Sequence, residues 1–107
     1  MSGKRSRDKG GRIEREIVKS HTDNNIQCEK VPLSGSIGGS FKDDVLINGK
    51  YLGEVKSRKD GSGFRTILKW LGDSDFLFLR RDRTEPIVVM EFDMYLKLLT
   101  AFLKNET

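Results

Sequence analysis

The sequence FKDDVLINGKYLGEVKS, residues 41–57, predicts the β-hairpin around which the rest of the protein is organised. Its two halves, residues 41–47 and 51–57, contain the β-branched and aromatic residues that favour strands. Between them stands Asn48-Gly49, the strongest short signal for a tight hairpin turn, because both residues tolerate positive φ. The two halves are therefore expected to pair as antiparallel neighbours.

Hydrophobic periodicity predicts six further elements on either side of this hairpin. Ile13 and Ile17, for example, lie four residues apart, as they would on one face of a helix. The six elements are a helix over residues 12–21, a strand over 26–31, a helix over 64–71, strands over 76–79 and 87–90, and a helix over 95–104. The resulting order, α-β-β-β-α-β-β-α, is typical of an α/β or α+β domain in which helices pack on a mixed β-sheet.

Length and charge constrain the organisation of the chain. At 107 residues it is short enough for one core, so a single domain over residues 1–107 is expected. Residues 1–10 are rich in Lys and Arg and poor in apolar side chains, which predicts a flexible basic arm, since such a segment cannot offset the entropy of ordering. The whole chain has 20 Lys and Arg against 16 Asp and Glu. This excess of positive charge favours a polyanionic partner.

The sequence also indicates a cellular compartment. Cys28 is the one cysteine, so no intrachain disulfide can form, which fits a reducing environment. No run approaches the roughly 18 apolar residues of a membrane span, and the N-terminal residues lack the apolar stretch of a signal peptide. A cytoplasmic protein without a membrane partner is therefore expected.

Asp44, Glu54 and Lys56 form the pattern with the most chemical content. Asp44 and Glu54 lie at similar distances from the Asn-Gly turn, so pairing of the hairpin brings the two carboxylates near the same rung. Glu54 and Lys56 are two residues apart and thus lie on one face of a strand. Two carboxylates and a backbone carbonyl suit a hard ion such as Mg²⁺, and a lysine beside that ion can orient or deprotonate a bound water. The alternative is an exposed strand with an ordinary acid–lysine pair, since such pairs are common on surfaces.

Four sequence features, in this order, resemble those of archaeal-type and phage Holliday-junction resolvases in the PD-(D/E)XK nuclease superfamily. They are Glu14-Arg15-Glu16, the Ser34-Gly35-Ser36 loop, Asp44, and Glu54-Val55-Lys56, and they span roughly residues 11–59. The resemblance implies a restriction-endonuclease-like fold, with a mixed β-sheet flanked by helices. It also implies a metal-dependent endonuclease, usually a homodimer, that nicks paired strands at four-way DNA junctions.

The resemblance further implies roles for individual residues, carried over by position. Asp44, Glu54, the backbone carbonyl of Val55 and Glu14 would hold Mg²⁺, which Mn²⁺ is expected to replace. Lys56 would be the catalytic lysine, and with Glu14, Asp44 and Glu54 it completes the predicted catalytic set. Taken without the resemblance, Glu14 and its neighbours also fit an exposed helix face that forms ion pairs.

Basic and hydroxyl side chains are the predicted DNA contacts. The resemblance implies a phosphate contact beside Glu14 and a loop serine near the scissile strand, and Lys30 stands where these resolvases place an arginine. A second concentration of positive charge follows the Glu54-Val55-Lys56 segment, as a phosphate backbone requires, although such runs are usually solvated faces. The predicted contacts are Arg15, Lys30, Ser34, Ser36, Arg58, Lys59 and Arg65.

The predicted function is therefore a Mg²⁺-dependent DNA endonuclease. It is expected to act as a homodimer that resolves four-way (Holliday) junctions by paired nicks, in the cytoplasm of a bacterial, archaeal or phage-infected cell. Two alternatives stay open. One is a nuclease that acts on flaps or other branched DNA, and the other is a non-catalytic DNA-binding or assembly module that keeps the fold and the basic face.

Overall fold

The computed structural model describes residues 2–31, 44–59 and 61–105, with side chains from residue 11 onward. Over these residues the helices and strands follow the predicted order, α-β-β-β-α-β-β-α. They are α1 (Ser2–Asp23), β1 (Cys28–Lys30), β2 (Val45–Ile47), β3 (Tyr51–Gly53), α2 (Ser62–Leu71), β4 (Leu77–Leu79), β5 (Ile87–Val89) and α3 (Phe92–Asn105). The predicted mixture of helices and strands is confirmed. None of the described helices is long and apolar enough to cross a membrane.

The described strands form two antiparallel sheets, where the sequence predicted one mixed sheet. β1, β2 and β3 make a three-stranded sheet in that order, and β4 and β5 make a two-stranded one. The connections β2–β3 and β4–β5 are short, and a short connection joins antiparallel neighbours, whereas a parallel pair needs a long crossover. The restriction-endonuclease-like arrangement of these strands stays a prediction.

The chain divides into two compact units, Met1–Ser57 and Arg58–Thr107. The first contains α1 and the three-stranded sheet, and the second contains α2, the β4–β5 hairpin and α3. The expectation of one domain over residues 1–107 stays a prediction.

The core of the first unit lies on one face of its sheet, and α1 contacts β1. Cys28 pairs with Ile47 across β1 and β2, and Val45 lies two residues along on the same face; all three are buried. His21, near the end of α1, is buried too, and its Nδ1–H donates to the carbonyl oxygen of Ile17 at 2.7 Å. This bond gives the imidazole the partner that a buried polar group requires.

α1 begins at Ser2, earlier than the predicted start at residue 12, so residues 2–10 of the predicted flexible basic arm are helical. Each residue added to an existing helix gains a hydrogen bond without the cost of nucleation, and Lys and Arg have good helix propensity. The apolar stripe thus predicted which part of α1 packs on the sheet, but not the residue at which α1 begins.

The predicted hairpin is confirmed, with a turn one residue longer than Asn48-Gly49 alone. Ile47 pairs with Tyr51, so Lys50 belongs to the turn. Asn48 and Gly49 have φ of 54° and 73°, the left-handed conformation that Asn and Gly tolerate best. The Lys50 N–H donates to the carbonyl of Ile47 at 3.1 Å and closes the turn.

In the second unit α2 ends where the sequence predicted. Gly72 has φ 49°, and its N–H donates to the carbonyl of Leu68 at 3.0 Å. A glycine at this position terminates a helix at no steric cost. Farther along the chain, β4 and β5 pair Phe78 with Val88. Leu71 and Leu96 are the buried apolar side chains among the described residues of this unit.

Candidate functional site

Asp44 and Glu54 lie just beyond the end of the β2–β3 pair that is away from the turn. The ladder pairs Val45 with Gly53, so the next positions outward are Asp44 and Glu54. The Asp44 N–H donates to the carbonyl of Gly53 at 2.9 Å, so Asp44 is bonded to the residue that already pairs with Val45. The placement of the two carboxylates near one rung stays a prediction.

Asp44 accepts hydrogen bonds from residues that follow both neighbouring strands, β1 and β3. Its Oδ2 accepts a hydrogen bond from the backbone N–H of Val55 at 2.7 Å, and its carbonyl accepts one from the N–H of Val31 at 2.9 Å. Backbone pairing on β3 stops at Gly53, although the sequence predicted a strand to residue 57. The Val55 N–H lies beyond the end of this pairing, and the Asp44 carboxylate accepts its hydrogen bond in place of a strand carbonyl.

Lys56 lies next to the acidic pair. Its Nζ is 3.5 Å from Oε1 of Glu54, and both side chains are more than half exposed. An exposed pair of this kind contributes about 0–1 kcal/mol to stability, so the ion pair is not needed to hold the fold. Its consequence is positional, because it keeps the Lys56 ammonium group beside the Glu54 carboxylate.

Glu14, a predicted metal ligand, forms an ion pair with a lysine of β1. Its Oε1 lies 3.3 Å from Nζ of Lys30, so the helix carboxylate pairs with a β1 side chain, and 22% of the Glu14 side chain is exposed. Over residues 11–31, 44–59 and 61–105, no three His, Cys, Asp or Glu side chains form a group that could hold a metal ion. The structure thus bonds Asp44 to the backbone of Val55, pairs Glu54 with Lys56 and pairs Glu14 with Lys30.

The donor set at the Asp44–Glu54 pair fits a hard divalent cation. Asp44 and Glu54 offer carboxylate oxygens, and the backbone carbonyl of Val55 adds a neutral oxygen between Glu54 and Lys56 in sequence. Mg²⁺ prefers such oxygens and keeps several waters, so it is usually bound through one or two carboxylates.

The remaining predicted contacts are spread over both units. Arg15 and Lys30 are exposed in the first unit. Ser34 and Ser36 lie outside the described residues. Arg58, Lys59 and Arg65 belong to the second unit, where they line a cavity of about 270 Å³.

Sequence reasoning missed the apolar part of that cavity. Its wall includes Phe64, Ile67 and Leu68 of α2, with Gly61 just before the helix. The sequence placed these three apolar residues on a helix face through their spacing alone. The sequence did contain one signal for this cavity. Basic residues stand just before and within the apolar stripe, which indicates a cavity lined by both charged and apolar side chains.

Cys28 takes no part in this chemistry. Burial raises the pKa of its thiol above the usual value, and the negative charge of Glu29 raises it further. A thiol that stays protonated is a poor nucleophile and a poor metal ligand. Its buried position in β1 gives it a packing role.

In comparisons with known proteins, no family model, curated protein or solved structure matches this chain. The likeness to Holliday-junction resolvases therefore rests on the residues quoted from the sequence.

Proposed function

We propose that this protein is a metal-dependent DNA endonuclease of the Holliday-junction resolvase type, with the restriction-endonuclease-like fold of the PD-(D/E)XK superfamily. The observation that carries the proposal is the hydrogen bond from the Val55 N–H to the Asp44 carboxylate at 2.7 Å, beside Glu54 and the Lys56 that pairs with it at 3.5 Å. Two carboxylates and a lysine in one short segment match the chemistry of metal-assisted phosphodiester hydrolysis.

The carboxylates of Asp44 and Glu54 and the carbonyl of Val55 are the groups that would hold Mg²⁺, or Mn²⁺ in its place. When bound, the ion would supply Lewis-acid stabilisation of the charge on the scissile phosphate. Lys56 would donate a hydrogen bond to the attacking water and orient it in line with the bond that breaks. The Asp44–Val55 hydrogen bond holds the Asp44 carboxylate in place before the substrate arrives, so less ordering is needed on binding.

The proposed substrate is branched double-stranded DNA, and a four-way junction requires two nicks on opposed strands. A twofold homodimer would supply two sites at a constant separation. The proposed phosphate contacts would bind without sequence preference, because phosphate is the same at every position. They are Arg15, Lys30, Ser34, Ser36, Arg58, Lys59 and Arg65. Such an enzyme would act where the DNA is, in the cytoplasm of a bacterial, archaeal or phage-infected cell.

The Glu14–Lys30 ion pair favours a second candidate, a non-catalytic DNA-binding or assembly module. Glu14 paired with Lys30 contributes no third carboxylate to the acidic pair, and Lys30 paired with Glu14 has less charge to offer a phosphate. A nuclease that cuts flaps or other branched DNA remains close to the main proposal, since it needs the same chemistry but a single nick.

Cleavage assays on labelled four-way junction, flap and duplex DNA, with and without Mg²⁺, separate these functions. The resolvase proposal expects paired nicks in the junction that require Mg²⁺, are lost in Glu54→Gln and persist in Glu85→Gln, an exposed acid of the second unit. Binding without cleavage in Mg²⁺ or Mn²⁺ would support the module. Cleavage of flaps with intact junctions would support the flap nuclease.

A further inference from the structure

The cavity on α2 combines an apolar wall with a cationic rim. Phe64, Ile67 and Leu68 form the wall, and Phe64 and Leu68 keep 40% and 65% of their surface exposed. Apolar surface that remains open to solvent can be covered by a ligand, with the usual gain from removing it from water. The aromatic ring of Phe64 is therefore accessible to a flat apolar group.

The charge of the cavity selects an anionic ligand. Arg58, Lys59 and Arg65 line it, and no acidic side chain is among the described residues that do. Over residues 57–71 the sequence has four basic residues against one acid, Asp60, which lies outside the described residues. Lys and Arg bind phosphates, and Arg can do so through two parallel hydrogen bonds.

The volume of the cavity further limits which anionic ligands can bind. The volume of about 270 Å³ lies just below the roughly 300–1,000 Å³ of pockets that enclose whole small-molecule ligands. One ring system fits such a space better than an extended ligand. A flat ring flanked by phosphates on both sides is the chemistry of an unpaired nucleotide within a strand, and single-stranded nucleic acids bind proteins through this combination of stacking and backbone charge.

We infer that this cavity binds an unpaired nucleotide of DNA, with the base against Phe64 and Leu68 and the flanking phosphates on Arg58, Lys59 and Arg65. The inference rests on the proposed function, since it takes DNA as the partner. It adds that substrates with exposed single-stranded segments, as at flaps or opened junction centres, are bound more tightly than continuous duplex. An aromatic platform accepts any base, so the site selects unpaired DNA without selecting sequence.

The test compares two labelled single strands of equal length and phosphate number, an oligothymidylate and an abasic oligonucleotide. Fluorescence anisotropy with the full-length protein in EDTA measures binding without cleavage. We expect the protein to prefer the oligothymidylate by roughly 5- to 100-fold, as stacking of one base on an aromatic ring provides. Phe64→Ala should abolish this preference and keep the affinity for the abasic strand, and Phe64→Trp should keep it or increase it.

Two further variants serve as controls. Phe102→Ala, an exposed phenylalanine of α3 that does not line the cavity, should leave the preference unchanged. Arg65→Ala should weaken binding of both strands and reduce the slope of log affinity against log salt by about 0.7. Phe64→Leu keeps apolar volume if Phe64→Ala disturbs the fold, and it should still lose most of the preference because it lacks the ring.

Equal affinity for the two strands, or a preference that Phe64→Leu leaves intact, would overturn the inference. Displacement of the oligothymidylate by polyglutamate at equal charge concentration would reassign the cavity to acidic peptides. If the cavity does not bind an unpaired nucleotide but junction DNA is still cleaved in Mg²⁺, the nuclease proposal stands. A confirmed cavity in a protein that cleaves no DNA would instead refute the nuclease, and failure to bind either single strand would refute the cavity inference alone.

Discussion

The backbone N–H of Val55 donates to Oδ2 of Asp44 at 2.7 Å, so a side chain at the start of β2 holds the segment that follows β3. The same Asp44 carboxylate is a proposed metal ligand. Asp44 thus accepts a structural hydrogen bond and also takes part in the proposed metal binding. Its two contributions can be separated by substitution, because the hydrogen bond needs an acceptor oxygen and the cation needs a charge.

Asp44→Asn and Asp44→Ala should differ in stability but not in cleavage. Asn retains an oxygen that can accept the Val55 N–H, whereas Ala leaves that part-buried donor without its partner. We expect Asp44→Ala to unfold with a free energy lower by about 1–3 kcal/mol than Asp44→Asn, measured by urea denaturation. Neither variant should cut DNA in Mg²⁺. Equal urea midpoints would show that the bond contributes nothing to the fold.

Glu54→Gln should abolish Mg²⁺-dependent cleavage and preserve both DNA binding and stability. The ion pair with Lys56 that the substitution removes is exposed at both partners, and such pairs contribute little to stability. We therefore expect its free energy of unfolding to stay within about 0.5 kcal/mol of the parent value. Near-normal turnover in Mg²⁺ would refute the proposed site.

Lys56→Ala should reduce turnover by orders of magnitude with little loss of DNA affinity. One exposed lysine among many basic residues contributes little to total phosphate attraction, whereas no other lysine pairs with Glu54 among the described side chains. Lys97→Ala, an exposed lysine of α3, provides the control. Single-turnover rates and anisotropy titrations distinguish the outcomes, and a loss confined to affinity would make Lys56 a DNA contact.

Gly53→Ala should destabilise the first unit, and Gly63→Ala should not destabilise the second. A Cβ at Gly53 would lie 2.9 Å from Cγ2 of Val45 and 3.3 Å from Cδ1 of Ile47, inside the packed core. Overpacking of this kind costs about 1–3 kcal/mol. A Cβ at Gly63 in α2 would meet no heavy atom within 4 Å, so alanine there should be neutral or stabilising by up to about 1 kcal/mol. Thermal unfolding of both variants measures the contrast.

Light scattering at micromolar concentration should find a dimer. Paired nicking needs two acidic sites, and the second unit leaves Trp70, Phe78 and Phe102 with 59%, 72% and 49% of their surface exposed. Phe78→Ser should shift the protein towards monomer, because it removes the most exposed of these apolar side chains. Excess Glu54→Gln protein mixed with active protein should then convert paired nicks into single nicks. A protein that is monomeric on DNA and in solution would favour the flap nuclease.

The order of the elements was determined by the sequence, because local chemistry specifies it. Asn48-Gly49 supports positive φ at adjacent positions, Gly72 ends α2, and the spacing of Ile13 and Ile17 marks a helix, all through interactions within a few residues. The tight turn also fixed the antiparallel pairing of β2 with β3, since strands joined by such a turn can pair in few registers.

Contacts between distant residues were decided only by the tertiary structure. The Glu14–Lys30 ion pair depends on how α1 lies across β1, which no local pattern encodes. The Asp44–Val55 hydrogen bond depends on where backbone pairing ends, and the extra turn residue Lys50 depends on the register of the sheet. Sequence periodicity reports which face of an element is buried, but the partner of each side chain is set by the packing of elements that are remote along the chain.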